Sequence, residues 1–282
     1  MSTELEKFIM TVGDLPTMSI VATKVMQLVE DEKATAEELA KVVSSDPGVA
    51  ARVLKISNSA FYSCQRQIQT LPSAIMLLGF NTLKSIVLAS SVKDVFKPFG
   101  LLEKMLWEHS FGAALAARMI AEECRCVNGE EAFLAGLMHD IGKIILLNQD
   151  RDRFQRLIER CYNDDIDFVT AETSVYPFTH ADIGGYVLQK WNFPEVLVIA
   201  IIQHHQFEFG DKDDNYPKRL TAVASMADLF CQKLGIGERA PREDLDIAGS
   251  PAASELGLEE TRIDRLLNNF AEAYEQNKNY FS

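Results

Sequence analysis

Apolar residues recur at three- and four-residue spacings along most of this chain, and alternating apolar–polar runs are scarce. That period gives a series of helices one apolar stripe each and leaves little with which to build a sheet. β-hairpin signals are absent as well. The expected fold class is therefore all-α, a multi-helix bundle. Thr17 to Glu30 sets Ile20, Val21, Val25, Leu28 and Val29 on one face. Thr35-Ala-Glu-Glu38 reads as a capping box, opening a helix that runs to about Ser44. Asp46-Pro47 opens another, with Asp as the cap and Pro in the first turn, where its missing N–H costs nothing. Val49, Val53, Leu54 and Ile56 follow at helical spacing. Further helices are expected from Pro72 to Leu78 and from Asn81 to about Val95, broken at Gly79.

Lys97-Pro98-Phe99-Gly100 is the clearest linker. Beyond it, helices are expected over Leu101–Glu123, Glu130–Asn148, Asp152–Tyr162, Asp167–Val175, Thr179–Lys190, Pro194–His205 and Lys218–Leu234. Gly235 to Gly257 reads as a loose connection. A last amphipathic helix carries Ile263, Leu266, Leu267, Phe270 and Tyr274 on one stripe, and docking back onto its own domain is the expected use of that stripe. The organisation expected is residues 1–98 as an N-terminal helical subdomain, 99–236 as a second helical domain on which it packs, and 237–282 as linker and terminal helix.

The net charge of −13 argues against a basic face for phosphate backbones, so nonspecific nucleic-acid binding is not expected. Arg151, Arg153, Arg156 and Arg160 are interleaved with Asp150, Asp152 and Glu159, which reads as a solvated helix face. The start lacks the basic-then-apolar order of a signal peptide. The longest purely apolar run, Val196 to Ile202, falls far short of the roughly 20 residues that span a bilayer. The cysteines, Cys64, Cys124, Cys126, Cys161 and Cys231, are odd in number and form no CxxC. Reduced thiols in a cytoplasmic protein, with no membrane, fit best.

The chemistry concentrates elsewhere. All five histidines lie between His109 and His205, as His109, His139-Asp140, His180 and His204-His205, with Asp228 following in an apolar helix. Imidazole and carboxylate hold first-row transition metals. Asp140 sits in Leu-Ala-Gly-Leu-Met-His139-Asp140-Ile-Gly-Lys143-Ile-Ile, a run where a bare charge is expensive to bury unless a cation pairs with it. His139 and Asp140 are adjacent, about 100° apart on a helix, and can converge on one ion. Lys143 is one turn beyond His139 and can point at an anion held there. Seven such side chains exceed what one tetrahedral zinc takes. They suit two ions bridged by a carboxylate, as in two-metal hydrolases. Nitrogen and oxygen ligation without thiolate suggests Fe, Mn, Ni or Zn.

This pattern resembles the HD superfamily of metal-dependent phosphohydrolases. His139-Asp140-Ile-Gly-Lys143 is similar to the core motif of its HD-GYP branch, which hydrolyses cyclic di-GMP. The N-terminal third, through Leu15-Pro16, Ser45-Asp46-Pro47, Asn58-Ser59-Ala60 with Tyr62, and Leu77-Leu78-Gly79, resembles the HDOD domain. That is an all-helical bacterial signalling module in which metal ligands are typically lost. The resemblance covers roughly Phe8 to Leu234. Unlike a degenerate HDOD domain, this chain keeps every position of the two-metal set. Unlike HD-GYP enzymes, it has Gln206 after the histidine pair, where Glu is usual, and Asn215 in place of the glycine of Gly-Tyr-Pro. Met105 stands where some HD-GYP proteins offer a third-metal glutamate.

The resemblance thus implies a bacterial signal-transduction protein holding one or two metal ions on His109, His139, Asp140, His180, His204, His205 and Asp228. A retained phosphohydrolase or phosphodiesterase activity would use Lys143 and Asp140. Nucleotides or cyclic dinucleotides are the substrate class implied. The competing reading is a non-catalytic module, its metal structural, acting through a signalling protein partner.

Overall fold

The structure is a computed structural model of the 282-residue chain. It describes residues 3–11, 16–31, 33–59, 68–96, 100–207, 209 and 215–281. Leu15, Ala60, Tyr62, Cys64, the Lys97-Pro98-Phe99 part of the linker and residues 210–214 before Asn215 lie outside the described residues. Among the described residues every regular element is helical. No single helix there is long and apolar enough to cross a membrane.

The chain forms two compact units, each built from two separated stretches of sequence. One comprises residues 1–17 with 99–264, the other residues 18–98 with 265–282. The N-terminal 17 residues therefore group with the histidine-bearing half rather than with residues 18–98. Helix α1 (Thr3–Thr11) belongs to the histidine-bearing unit. Its Phe8 ring sits 4.8 Å from that of Phe178, and Pro16 O accepts a hydrogen bond from Trp191 Nε1.

The smaller unit holds α2 (Ile20–Val29), α3 (Ala36–Ser44), α4 (Pro47–Ser57), α5 (Leu71–Leu78) and α6 (Phe80–Lys93). Helix α2 starts at Ile20 rather than Thr17 because Ser19 caps it, accepting from Ala22 N. The capping box of Thr35 and Glu38 and the Asp46-Pro47 start form as expected from sequence. Asn58 ends α4 and then grips Ile68 through two hydrogen bonds, from its own amide to Ile68 O and from Ile68 N to its Oδ1. Helix α2 packs on α6 and α3 on α5, burying Val25, Leu39, Val43, Val53 and Ile86.

The larger unit continues with α7 (Leu101–Cys124), α8 (Gly129–Met138), α9 (Ile141–Gln149), α10 (Arg151–Asp164) and α11 (Phe168–Thr173). It is completed by α12 (His180–Lys190), α13 (Glu195–Gln203), α14 (Asn215–Leu234) and α15 (Pro251–Leu256). Helix α7 packs most closely on α8 and α14, and α12 lies against α9 and α13. Two of the helix–helix contacts are close enough to require glycine. A Cβ on Gly136 would lie 2.6 Å from the Ala113 carbonyl carbon, which sets the α7–α8 distance. One on Gly142 would lie 2.7 Å from the His180 carbonyl carbon and 2.9 Å from its Cα, which sets α9 against the start of α12.

Three sequence expectations need correction. The helix read from Glu130 to Asn148 breaks in two at His139-Asp140. The stretch from Gly235 to Gly257 is not wholly loose, because Ser250 caps α15 and Pro251 opens it. The arginine run on α10 is more than a solvated face. Arg151 bonds the fully buried Glu103, and Arg153 bonds Val175 O and stacks on Tyr176.

The last helix, α16 (Glu260–Phe281), starts in the larger unit and ends in the smaller. At its start Arg262 bonds Glu123. Further along, Leu266, Phe270 and Tyr274 are buried, and Asn279 O accepts from Lys55 Nζ.

Candidate metal centre

His139 closes α8 with helical dihedrals, and Asp140 opens α9 at φ −102°, ψ 12°. That conformation is sparsely populated for ordinary residues. Asp occupies the N-cap position, yet its side chain caps nothing. The carboxylate turns instead into the interior, where Oδ2 lies 3.3 Å from His139 Nε2, 3.5 Å from His109 Nε2 and 2.7 Å from Lys143 Nζ. Oδ1 lies 3.1 Å from His180 Nε2 and 3.9 Å from His204 Nε2. The break in the helix is thus what aims one oxygen at each of two histidine groups.

All seven sequence-nominated ligands converge. Asp140, His180, His204 and His205 form one group, and His109, His139 and Asp228 another; within each group the donor atoms lie within 4.8 Å of one another. His109 Nε2 is 3.0 Å from Asp228 Oδ1 and 3.3 Å from His139 Nε2. His180 Nε2 is 3.1 Å from His205 Nε2. Donors around one tetrahedral ion with metal–nitrogen bonds of 2.0–2.1 Å stand about 3.3 Å apart, so these separations suit ligation. Six of the seven residues are buried, and His205 is the exposed one.

The far side of each ring explains the convergence. His109 Nδ1 pairs with Ile236 O at 3.1 Å, His139 Nδ1 with Gly136 O at 2.7 Å, and His204 Nδ1 with Ile201 O at 2.5 Å. His180 Nδ1 pairs with Glu172 Oε2 at 2.8 Å. These partners only accept, so each Nδ1 donates to its partner and Nε2 is the nitrogen left to face the centre. Four Nε2 atoms are thereby aimed inward. Ring nitrogens 3.1 or 3.3 Å apart need a proton or a cation between them. Two buried atoms, His204 Nε2 and Asp140 Oδ1, make no hydrogen bond. A cation at the centre would satisfy both, and the donor set fits transition-metal ions.

The electrostatics agree. Burial opposes a charge on His109, but hydrogen bonding and Coulomb attraction from Asp228, with help from Asp140, overcome it and push the ring up to about 9. Burial likewise opposes a charge on His180, and Glu172 with Asp140 raises that ring to about 9. Burial and the neighbouring rings, His205 first, hold His204 well below the usual imidazole range. Asp140 and Asp228 are driven the other way. Burial favours their neutral forms, but His139 and Lys143 for Asp140, and His109 for Asp228, keep both well below the usual carboxylate range. Without a metal the centre is held together by protons and by Lys143.

Sequence reasoning did not find the supporting residues. Glu172 is fully buried and accepts from both the backbone N and Nδ1 of His180. Gln232 donates to both oxygens of Asp228 from one turn further along α14. Ser225 holds the His204 carbonyl. The i to i+4 spacing of Asp228 and Gln232 is a readable signal; the eight-residue offset of Glu172 from His180 is not. Lys143, beside Asp140, also lies 4.9 Å above the Phe168 ring and lines a cavity that opens onto the centre. Gln206 lines the same cavity.

Comparison with known proteins identifies the family and the fold. The HDOD domain family matches residues 15–207, a range that includes every nominated ligand except Asp228. The crystal structure of an HDOD domain protein of unknown function from Geobacter sulfurreducens is similar, with a TM-score of 0.83, 24% identity, and 99% of this chain and 97% of that one covered. A candidate metal-dependent phosphohydrolase from Shewanella amazonensis SB2B gives a TM-score of 0.67 at 19% identity over 99% and 98% of the two chains. At these identities the likeness is one of fold. An uncharacterized protein of Treponema pallidum (strain Nichols) is 21% identical over 236 residues, 82% of this chain. The chain spans 45% of the length of that relative.

Proposed function

This chain belongs to the HDOD domain family, and on that premise we propose that it is a metal-dependent phosphohydrolase of a signalling type. One or two transition-metal ions, Fe, Mn, Ni or Zn, would be held by the two donor groups, toward each of which Asp140 turns one oxygen. The observation that carries this reading is the anchoring of four Nδ1 atoms, which leaves four Nε2 atoms aimed at one buried space. A purely structural histidine has no need of such an arrangement, and ligands held from behind bind metal more tightly.

Bound there, ions of this kind supply Lewis-acid stabilisation of a phosphoryl oxygen and lower the pKa of water. The chain's own residues do the rest. Asp140 holds its two oxygens apart on the two sides of the centre. Lys143 stands at the base of the cavity beside Asp140, and its ammonium, 4.9 Å from the centre of the Phe168 ring, can take a phosphate oxygen. Glu172 fixes the ring plane of His180, and Gln232 fixes Asp228. The apolar cavity walls limit water around the ester.

Elemental analysis of protein purified without a metal-affinity step tests the first half, and is expected to give one to two ions per chain. Lys143→Ala tests the second. It removes a cation that competes for Asp140, so metal content should hold while phosphoester turnover falls by about 10²–10³. A metal-loaded protein that hydrolyses no nucleotide, cyclic dinucleotide or simple phosphoester would overturn the catalytic reading.

A further inference from the structure

The cavity above the centre has a volume of about 690 Å³, and its lining is divided. At the base stand His109, Asp140, Lys143, His205 and Asp228. Met105, Leu106, Phe154, Ile158, Phe168 and Leu229 form apolar walls. Among the described residues the solvent-facing rim carries the exposed Asp165, Asp167 and Asp244 and the half-buried Glu238 against the single guanidinium of Arg242. Asp167 and Glu238 are held in place by hydrogen bonds. Asp165 ends α10 in the left-handed region at φ 50°. Asp167 caps α11 through Thr170, and Glu238 accepts from Tyr162 Oη at 3.1 Å.

Charge decides what such a space can hold. Two divalent ions against the carboxylates of Asp140 and Asp228 leave roughly two net positive charges at the base, which with Lys143 suits one phosphate group. A second phosphate would have to stand toward the carboxylate rim. The walls offer apolar and aromatic surface to an organic group, and a volume in the range of small-molecule sites. A cationic end would be welcome near the rim and the aromatic rings.

We propose that this site takes a single-phosphorus ester whose organic part is apolar or cationic and carries no further negative charge, and that the acidic rim rejects nucleotide polyphosphates and cyclic dinucleotides. This narrows the substrate class implied by sequence resemblance, and it rests on the metal-phosphohydrolase reading.

Binding tests it independently of turnover. The metal-loaded full chain is titrated calorimetrically at low ionic strength with phenylphosphonate, phosphocholine, ADP and cyclic di-GMP. Phenylphosphonate and phosphocholine should bind at least about ten-fold tighter than ADP or cyclic di-GMP. The triple variant Asp165→Asn, Glu238→Gln, Asp244→Asn should tighten ADP relative to phenylphosphonate by about 2–3-fold per carboxylate removed, an effect that salt erases. Equal or tighter binding of ADP or cyclic di-GMP to the native protein overturns the inference, as does an unchanged ratio in the variant. A metal-loaded chain that binds none of the four also overturns it, while leaving metal binding intact. A chain that takes up no metal sinks this inference together with the reading beneath it.

Discussion

Gly142→Ala probes the centre without replacing any candidate ligand. The added methyl would stand 2.7 Å from the His180 carbonyl carbon and closer still to its oxygen. Ordinary carbon contacts are about 3.5–4.0 Å, so α9 and the first turn of α12 must part by about 1 Å. The obstruction is backbone on a buried helix, which cannot swing aside as a side chain would. Overpacking of this kind costs about 1–3 kcal/mol. In a unit of this size that lowers Tm by roughly 2–4 °C per kcal/mol. The separation also carries His180 away from Asp140, and a metal site tolerates only about 0.5 Å of such error. The variant should therefore lose both thermal stability and metal. Gly129→Ala is the control, because its methyl would meet only Arg118 and Glu122 side chains at 3.6 Å. Thermal unfolding and elemental analysis of both variants are the assays. A Gly142→Ala protein with native Tm and full metal content would show that the α9–α12 approach does not position His180.

Asp140→Ala should abolish binding of at least one ion, since each oxygen faces a different histidine group; unchanged metal content would mark Asp140 as an ordinary buried acid. Glu172→Gln should weaken metal binding about 10–100-fold, the usual cost of losing a carboxylate behind a ligating histidine; a chelator competition that shows no change would reduce Glu172 to a packing role. The pH dependence should differ in sign between the two forms. His109 and His180 are raised to about 9 from an ordinary 6.5, so in metal-free protein their contribution is full below about 6.5 and is lost as pH rises through 9. The depressed Asp140 and Asp228 contribute above the ordinary carboxylate pKa and lose that contribution as pH falls. Metal must displace the imidazole protons, so its stabilisation should grow from pH 6.5 to 9 while the metal-free protein weakens. Parallel Tm curves for loaded and chelated protein would contradict this.

The candidate ligand cluster was legible because burying charge is costly. A His-Asp step in an apolar run, a histidine pair and a lone Asp228 in an apolar helix each demand a partner, and one cation serves them all. The helical fold was legible from period, and the caps at Thr35 and Asp46 from local chemistry. What escaped depends on tertiary approach. Apolar residues on both sides of His139-Asp140 continue the helical period, so nothing local announces the break that turns Asp140 inward. Gly142 signals close packing by its position in a helix, but not against which element. Glu103 and Arg151 pair across 48 positions, and no spacing rule reaches that far. The α15 start, Ser250-Pro251, carried a readable cap that the surrounding glycines and prolines obscured.

The chain passes between its two units three times, at residues 17–18, 98–99 and 264–265. A ribosome completes residues 18–98 before it begins 99–264, but their unit also takes residues 265–282, which follow that whole stretch. At 5–20 residues per second the roughly 170 residues between arrive over on the order of 10–30 s. For that interval the surface later covered by Leu266, Phe270 and Tyr274 is open to solvent, a window for chaperone binding or misassociation. The same threading means that one protease cut at a unit boundary releases neither unit whole, and that a fragment ending near residue 98 lacks part of its own core.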